Sequence, residues 1–208
     1  MRRVVMLILA VVIVSLCCYG FDVTEYGVHI NLNRLTKRST ETGRWHASVE
    51  VYVQQELDAV WRMESGLGYD FADSSPFASV GFLRSLMEEM YVEADFVLQW
   101  VPRHGFVGAV NTGMRYHPMI ADRTRLILEA YPVQWGFVSV NHRYSLLPVI
   151  SPSFKVGLVM LLEHGGFFGE TVTIAAQKVE RRLPFSLFIG NDYYLTAGQL
   201  TTVIGYRT

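Results

Sequence analysis

The chain has 208 residues, 50% of them hydrophobic and only 18% charged, with a net charge of −1. Soluble domains carry nearer ~25% charge, and so balanced a charge excludes an electrostatic nucleic-acid surface. No stretch after residue 20 reaches the ~18 continuous apolar residues of a membrane helix, which excludes helical spans there.

Residues 1–20 read as a secretory signal: Arg2 and Arg3 precede an apolar run from Val4 to Leu16, and Cys18-Tyr19-Gly20 sets small residues for cleavage before Phe21. Losing Arg2 and Arg3 leaves 16 basic against 19 acidic residues, net −3, over the remaining domain, 21–208. Cys17 and Cys18 are the only cysteines, so that domain holds no disulfide. Lipidation of one of them is the alternative, against which bulky Leu16 argues.

From there the pattern has a period of two. Tyr26, Val28, Ile30 and Leu32 alternate with Gly27, His29, Asn31 and Asn33, and a polar loop follows at 34–44. Trp45, Ala47, Val49, Val51 and Val53 alternate with His46, Ser48, Glu50, Tyr52 and Gln54. After a turn at Gln55-Glu56, a third strand sets Trp61, Met63, Leu67, Tyr69 and Phe71 against Asp58, Arg62, Glu64 and Asp70. Residues 72–90 read as the longest connection: Ser74-Ser75-Pro76 resembles a helix entry and Ser79–Met90 a short helix. Strands follow at Val92–Trp100 and Phe106–His117. Over Thr124–Leu147 the apolar parity flips at Pro132, the mark of a bulge or a turn. A turn at Pro148–Pro152, a strand at Phe154–Leu162, and strands at Thr171–Gln177, Phe185–Ile189 and Gln199–Arg207 complete the reading.

These elements predict an all-β, antiparallel, up-and-down transmembrane barrel of about 8–10 strands, in which every second residue faces lipid. Longer connections (34–44, 72–90, 118–123, 164–169, 191–197) alternate with shorter ones, which puts both termini on the periplasmic rim of a bacterial outer membrane. A soluble β-sandwich is the competing reading. Trp45, Phe71 and Tyr116 at loop-side strand ends, with Trp100, Phe106 and Tyr206 at turn-side ends, make two aromatic girdles and favour the barrel.

The ending Val203-Ile204-Gly205-Tyr206-Arg207-Thr208 resembles the terminal strand of small outer-membrane barrels of the OmpW and OmpX kind. The resemblance implies recognition by the barrel-assembly machinery through this strand. Gly205, Tyr206 and Arg207 match, and Thr208 replaces the usual terminal Phe.

Eight acids (Glu50, Asp58, Glu64, Asp70, Glu93, Asp95, Glu129, Glu163) and five bases (Arg62, Arg115, Arg125, Lys155, Arg207) fall on the inward face. So small a barrel is largely filled by side chains, so these charges pair into a network or line a narrow lumen. Phe77, Phe82, Leu83, Leu86, Met87 and Met90 make the connection 72–90 apolar enough to cap the barrel or lie on the interface. No two of His29, His46, His104, His117, His142 and His164 have metal-ligand spacing, though His29 and His46 fall on adjacent strands. No metal, cofactor or catalytic residue is expected. Asn141-His142-Arg143-Tyr144-Ser145 resembles the His and Ser of lipid A deacylases, but those place the serine two residues on and here it is three. Three functions stay open: a narrow channel for small solutes or a structural barrel, a host-facing adhesin acting through 34–44 and 72–90, and a lipid hydrolase. The partners expected are outer-membrane lipid, the assembly machinery, and a small solute or a host surface molecule.

Overall fold

A computed structural model describes residues 22–36, 44–71, 74–101, 105–140, 143–149, 153–178 and 194–208. The predicted signal lies outside the described residues. Described are β1 Asp22–Thr36, β2 Arg44–Glu56, β3 Trp61–Asp70, β4 Ser75–Met87, β5 Met90–Val101, β6 Gly105–Tyr116, β7 Met119–Ala121, β8 Thr124–Val140, β9 Arg143–Val149, β10 Ser153–Leu161, β11 Gly166–Lys178 and β12 Tyr194–Arg207. Each pairs antiparallel with its neighbours, and β12 pairs with β1 from Glu25↔Arg207 to Thr36↔Thr196. Strands β9 and β10 lie end to end along β8, and β7 is a three-residue extension. The sheet is therefore a closed barrel of ten staves. Among the described residues no helix is long and apolar enough to cross a membrane.

Alternation explains the closure. Tyr26, Ile30, Val51, Phe96, Met114, Phe154, Leu158, Ile174 and Ile204 are exposed around the outside, while polar and charged side chains meet inside. Such a surface is stable against lipid, and closure satisfies every edge that lipid would leave without a hydrogen bond. One outward carboxylate interrupts the belt: Glu170 is exposed, in register with Leu158 and Thr202.

The parity flip at Pro132 is a bulge inside β8. Thr112 pairs with Val133 but Met114 with Ala130, so Gly113 faces an extra residue. The strand runs to Val140 and pairs with β9 as far as Val140↔Arg143. Of the turn expected at Pro148–Pro152, Pro148 and Val149 belong to β9, and 150–152 lie outside the described residues.

The larger correction is β4. Residues 75–87 form a stave rather than a loop with a helix, so Phe77, Phe82, Leu83, Leu86 and Met87 belong to the wall and Met90 opens β5. None of them forms a loop cap, and the adhesin reading loses its 72–90 loop. Side-chain polarity fails to alternate along β4 because Phe77 and Leu83 point inward while Arg84 points outward over the Trp61 ring, 5.7 Å away. The inserted stave reverses the direction of every strand from Met90 to Lys178. Connections 117–123 and 162–165 therefore sit on the terminal rim with 57–60 and 88–89, while β5 ends and β6 begins at the distal rim. The strand expected at Phe185–Ile189 lies outside the described residues, and β11 pairs directly with β12.

Rim order also redistributes the aromatics. By register, Trp45, Phe71, Trp100 and Phe106 lie toward the distal rim, and Tyr116 and Tyr206 toward the terminal one. Tyr26, whose ring is 5.7 Å from that of Tyr206, and Trp61 join the terminal group, and Tyr69 packs edge-on to Phe71.

Candidate functional site

The staves β3, β5, β6, β8 and β10 bring one charged cluster together inside the barrel. Arg115 on β6 is its hub. It pairs through two nitrogens with Glu93 on β5, donates from Nη1 to Glu64 on β3 at 3.2 Å, and lies 4.0 Å from Glu129 on β8. Glu129 also accepts from Lys155 Nζ at 3.0 Å and meets His117 Nε2 at 3.1 Å. The Tyr131 hydroxyl stands between Glu93 (2.7 Å) and Glu129 (2.9 Å). Glu93 and Glu129 are 1% and 3% exposed. Carboxylates so buried stay ionised only where cations and donors surround them, and here three carboxylates share one guanidinium, one ammonium and one phenol.

A second set continues on β1, β2 and β12. The His29 ring stacks on Tyr52 at 4.2 Å, with Nδ1 3.3 Å from Glu50. Tyr52 donates to Glu25 at 2.9 Å, and Arg207 Nε donates to the other Glu25 oxygen at 3.1 Å. Ser79 donates to Glu50, and Asn111 to Asp95 at 3.2 Å. Toward the distal rim, Gln199 and Thr201 both donate to Asn31, each at 2.7 Å, and Gln99 donates to Ser75 at 2.6 Å.

An apolar patch adjoins the charged groups and shares β8 and β10 with them. Ile127, Val159, Phe167 and Val203 form a buried cluster with Tyr52. Phe167 lies flat on Gly205, where an added Cβ would come within 2.2 Å of the ring; Phe77 covers Gly68 in the same way, at 2.1 Å. Charged and apolar side chains together line a cavity of about 140 Å³, bounded by Arg115 and Glu129 within and by Glu89 and His117 of the terminal-rim connections.

Of the expected lumen charges, Glu64, Glu93, Arg115, Glu129 and Lys155 meet in one cluster, and Arg207 and Glu50 belong to the second set. Arg62 lines the cavity, donating to Tyr91 Oη (2.9 Å) and Glu56 (3.1 Å). Arg125 lines it too, and its Nε has no acceptor. Asp70 pairs with Ser48 and Ser75 near the distal rim.

Two expected lumen charges are elsewhere. Asp58 sits in the turn between β2 and β3 and accepts from the Val60 and Trp61 amides at 2.7 and 2.8 Å, which hold its carboxyl below the usual range. Glu163 is exposed in the turn before β11, 3.2 Å from Arg123. Both follow the alternation of neighbouring strands, but each strand ends before reaching them.

Among the described residues no group of three acids, histidines or cysteines could hold a metal. His164 is exposed in a turn, while His104 and His142 lie outside the described residues. Ser145 pairs with Val138 across the β8–β9 hairpin. Sequence reasoning missed Tyr131 as a lumen residue because it precedes Pro132, where parity is ambiguous, and missed Phe77 and Leu83 because β4 was unrecognised.

No family model and no curated protein sequence matches the chain. Among solved structures, the translocator domain of the autotransporter NalP from Neisseria meningitidis is similar with a TM-score of 0.55 at 9% identity, over 100% of this chain and 96% of that one. Neisserial surface protein A gives 0.45 at 6% identity over 88% and 96%, and the NanC porin 0.45 at 6% over 87% and 100%. At these identities the likeness, carried by the NalP domain, is one of fold.

Proposed function

We propose that the protein is a bacterial outer-membrane barrel that acts as a narrow channel for small solutes, exported with residues 1–20 removed and inserted with both termini periplasmic. The observation that carries this reading is the cavity lined by charged and apolar side chains together, ending at the Arg115 cluster. A merely structural lumen has no need of such a space; a small polar or amphipathic solute finds a surface for each of its parts there. Selection is then passive, set by lumen charge and width, and no residue acts as a catalyst. Assembly engages the β-barrel machinery through β12, in keeping with the OmpW- and OmpX-like ending at Gly205, Tyr206 and Arg207.

Planar-bilayer recording of refolded protein tests the reading. Small discrete current steps are expected, enlarged when Arg115 and Glu93 are both replaced by Ser, since that removes the cluster's central pair. Absence of steps from both proteins at every voltage would sink the channel.

A further inference from the structure

Arg125 differs from every other lumen cation among the described residues. Arg115, Lys155, Arg207 and Arg62 each have a carboxylate within 3.2 Å. Arg125 has none, and its Nε is buried without an acceptor. Its register opposite Val159 points it inward, and it lines the cavity at the end nearer the terminal rim. Arg207, Glu25, Glu89 and Tyr91 line the same cavity. Both carboxylates are engaged: Glu25 accepts from Arg207 and Tyr52, and Glu89 from the Met119 amide.

A guanidinium is a planar fork of five donors whose geometry matches a carboxylate or a phosphate. Beside four described lumen cations that are matched, an unmatched fork facing a cavity is shaped for an anion that comes and goes. We infer that Arg125 is the docking point for the oxyanion of a small solute, a carboxylate or a phosphate, entering from the terminal rim. Arg207 adds positive charge beside it, Tyr91 Oη is a further donor, and the apolar wall of Val159 and Leu161 receives the solute's carbon skeleton. The inference goes beyond the channel reading, because binding needs no current.

Calorimetric titration of the refolded protein in non-ionic detergent tests it, with succinate and inorganic phosphate as separate probes. Saturable one-to-one binding of at least one probe is expected, and the stronger of the two identifies the preferred oxyanion. Arg125→Gln should weaken it at least tenfold. Arg125→Lys keeps the charge but loses the fork, and should fall between. Arg123→Gln, on the exposed turn, should change nothing. The heat-modifiable gel shift reports whether each variant is folded. No saturable binding of either probe to the unaltered protein overturns the inference whatever the variants do. Equal binding by folded Arg125→Gln or Arg125→Lys overturns it as well. A protein that conducts but does not bind leaves the channel standing and removes the docking point.

Discussion

Arg115 holds three carboxylates from three staves, so its removal and the removal of its partners are not equivalent. Arg115→Met alone leaves Glu93 and Glu129 buried beside too little positive charge, and a loss of about 3–5 kcal/mol is expected. Adding Glu93→Leu should recover part of that loss, because one uncompensated charge disappears with it. Urea titration of both variants in vesicles measures the difference; a double variant less stable than Arg115→Met would contradict the hub. That Arg115, Glu93 and Glu129 face inward follows from alternation alone. Which of them pair does not, since Glu64 is 51 residues from Arg115 and reaches it past two intervening staves. Arg125 shows the same gap: the sequence places it beside acids, and only the register leaves it without one.

At the scale of the element, β8 offers the sharpest test. Its bulge puts Val133, Trp135 and Phe137 in register with Thr112, Val110 and Gly108, at positions of the same face as Leu126 and Leu128 despite their opposite parity. Deleting Pro132 removes the extra residue, so 133–140 must either turn its apolar residues into the lumen or slip in register. Loss of the folded, fast-migrating gel band is expected, and unchanged migration would show that the bulge carries no such constraint. The flip was legible because Pro132 falls between two clean runs. Strand β4 was not, for a physical reason. A lumen wide enough to hold Phe77 over Gly68 and Leu83 beside the charged cluster tolerates apolar side chains on its inner surface, which erases the polarity contrast that marks a stave. With Ser74-Ser75-Pro76 in front, the spacing of Leu83, Leu86, Met87 and Met90 then imitates one face of a helix. Strand β2, with valines outside and Ser48, Glu50 and Tyr52 inside, keeps the contrast and was read correctly from the sequence.

For the whole molecule, the decisive question is what touches the outer belt. Val51 is 56% exposed, paired with Val28 and Leu67 in the middle of it. Val51→Arg should cost about 2–4 kcal/mol when the barrel unfolds from a bilayer, against about 0.5 kcal/mol or less for a surface that faces water. Equilibrium unfolding from phosphatidylcholine vesicles separates the two. The seam between β1 and β12 has a consequence in time rather than in space. Glu25 and Arg207 are 182 residues apart in the chain, and the Thr208 amide and hydroxyl reach back to the Thr24 and Val23 carbonyls. Among the described staves β1 comes first in the chain and waits longest for its second neighbour, which is the last. Throughout that interval one of its edges is open to any other strand that comes by. Contacts of such long range also form slowly. The seam is therefore the last joint of the barrel that can form, and closure waits on the final stave.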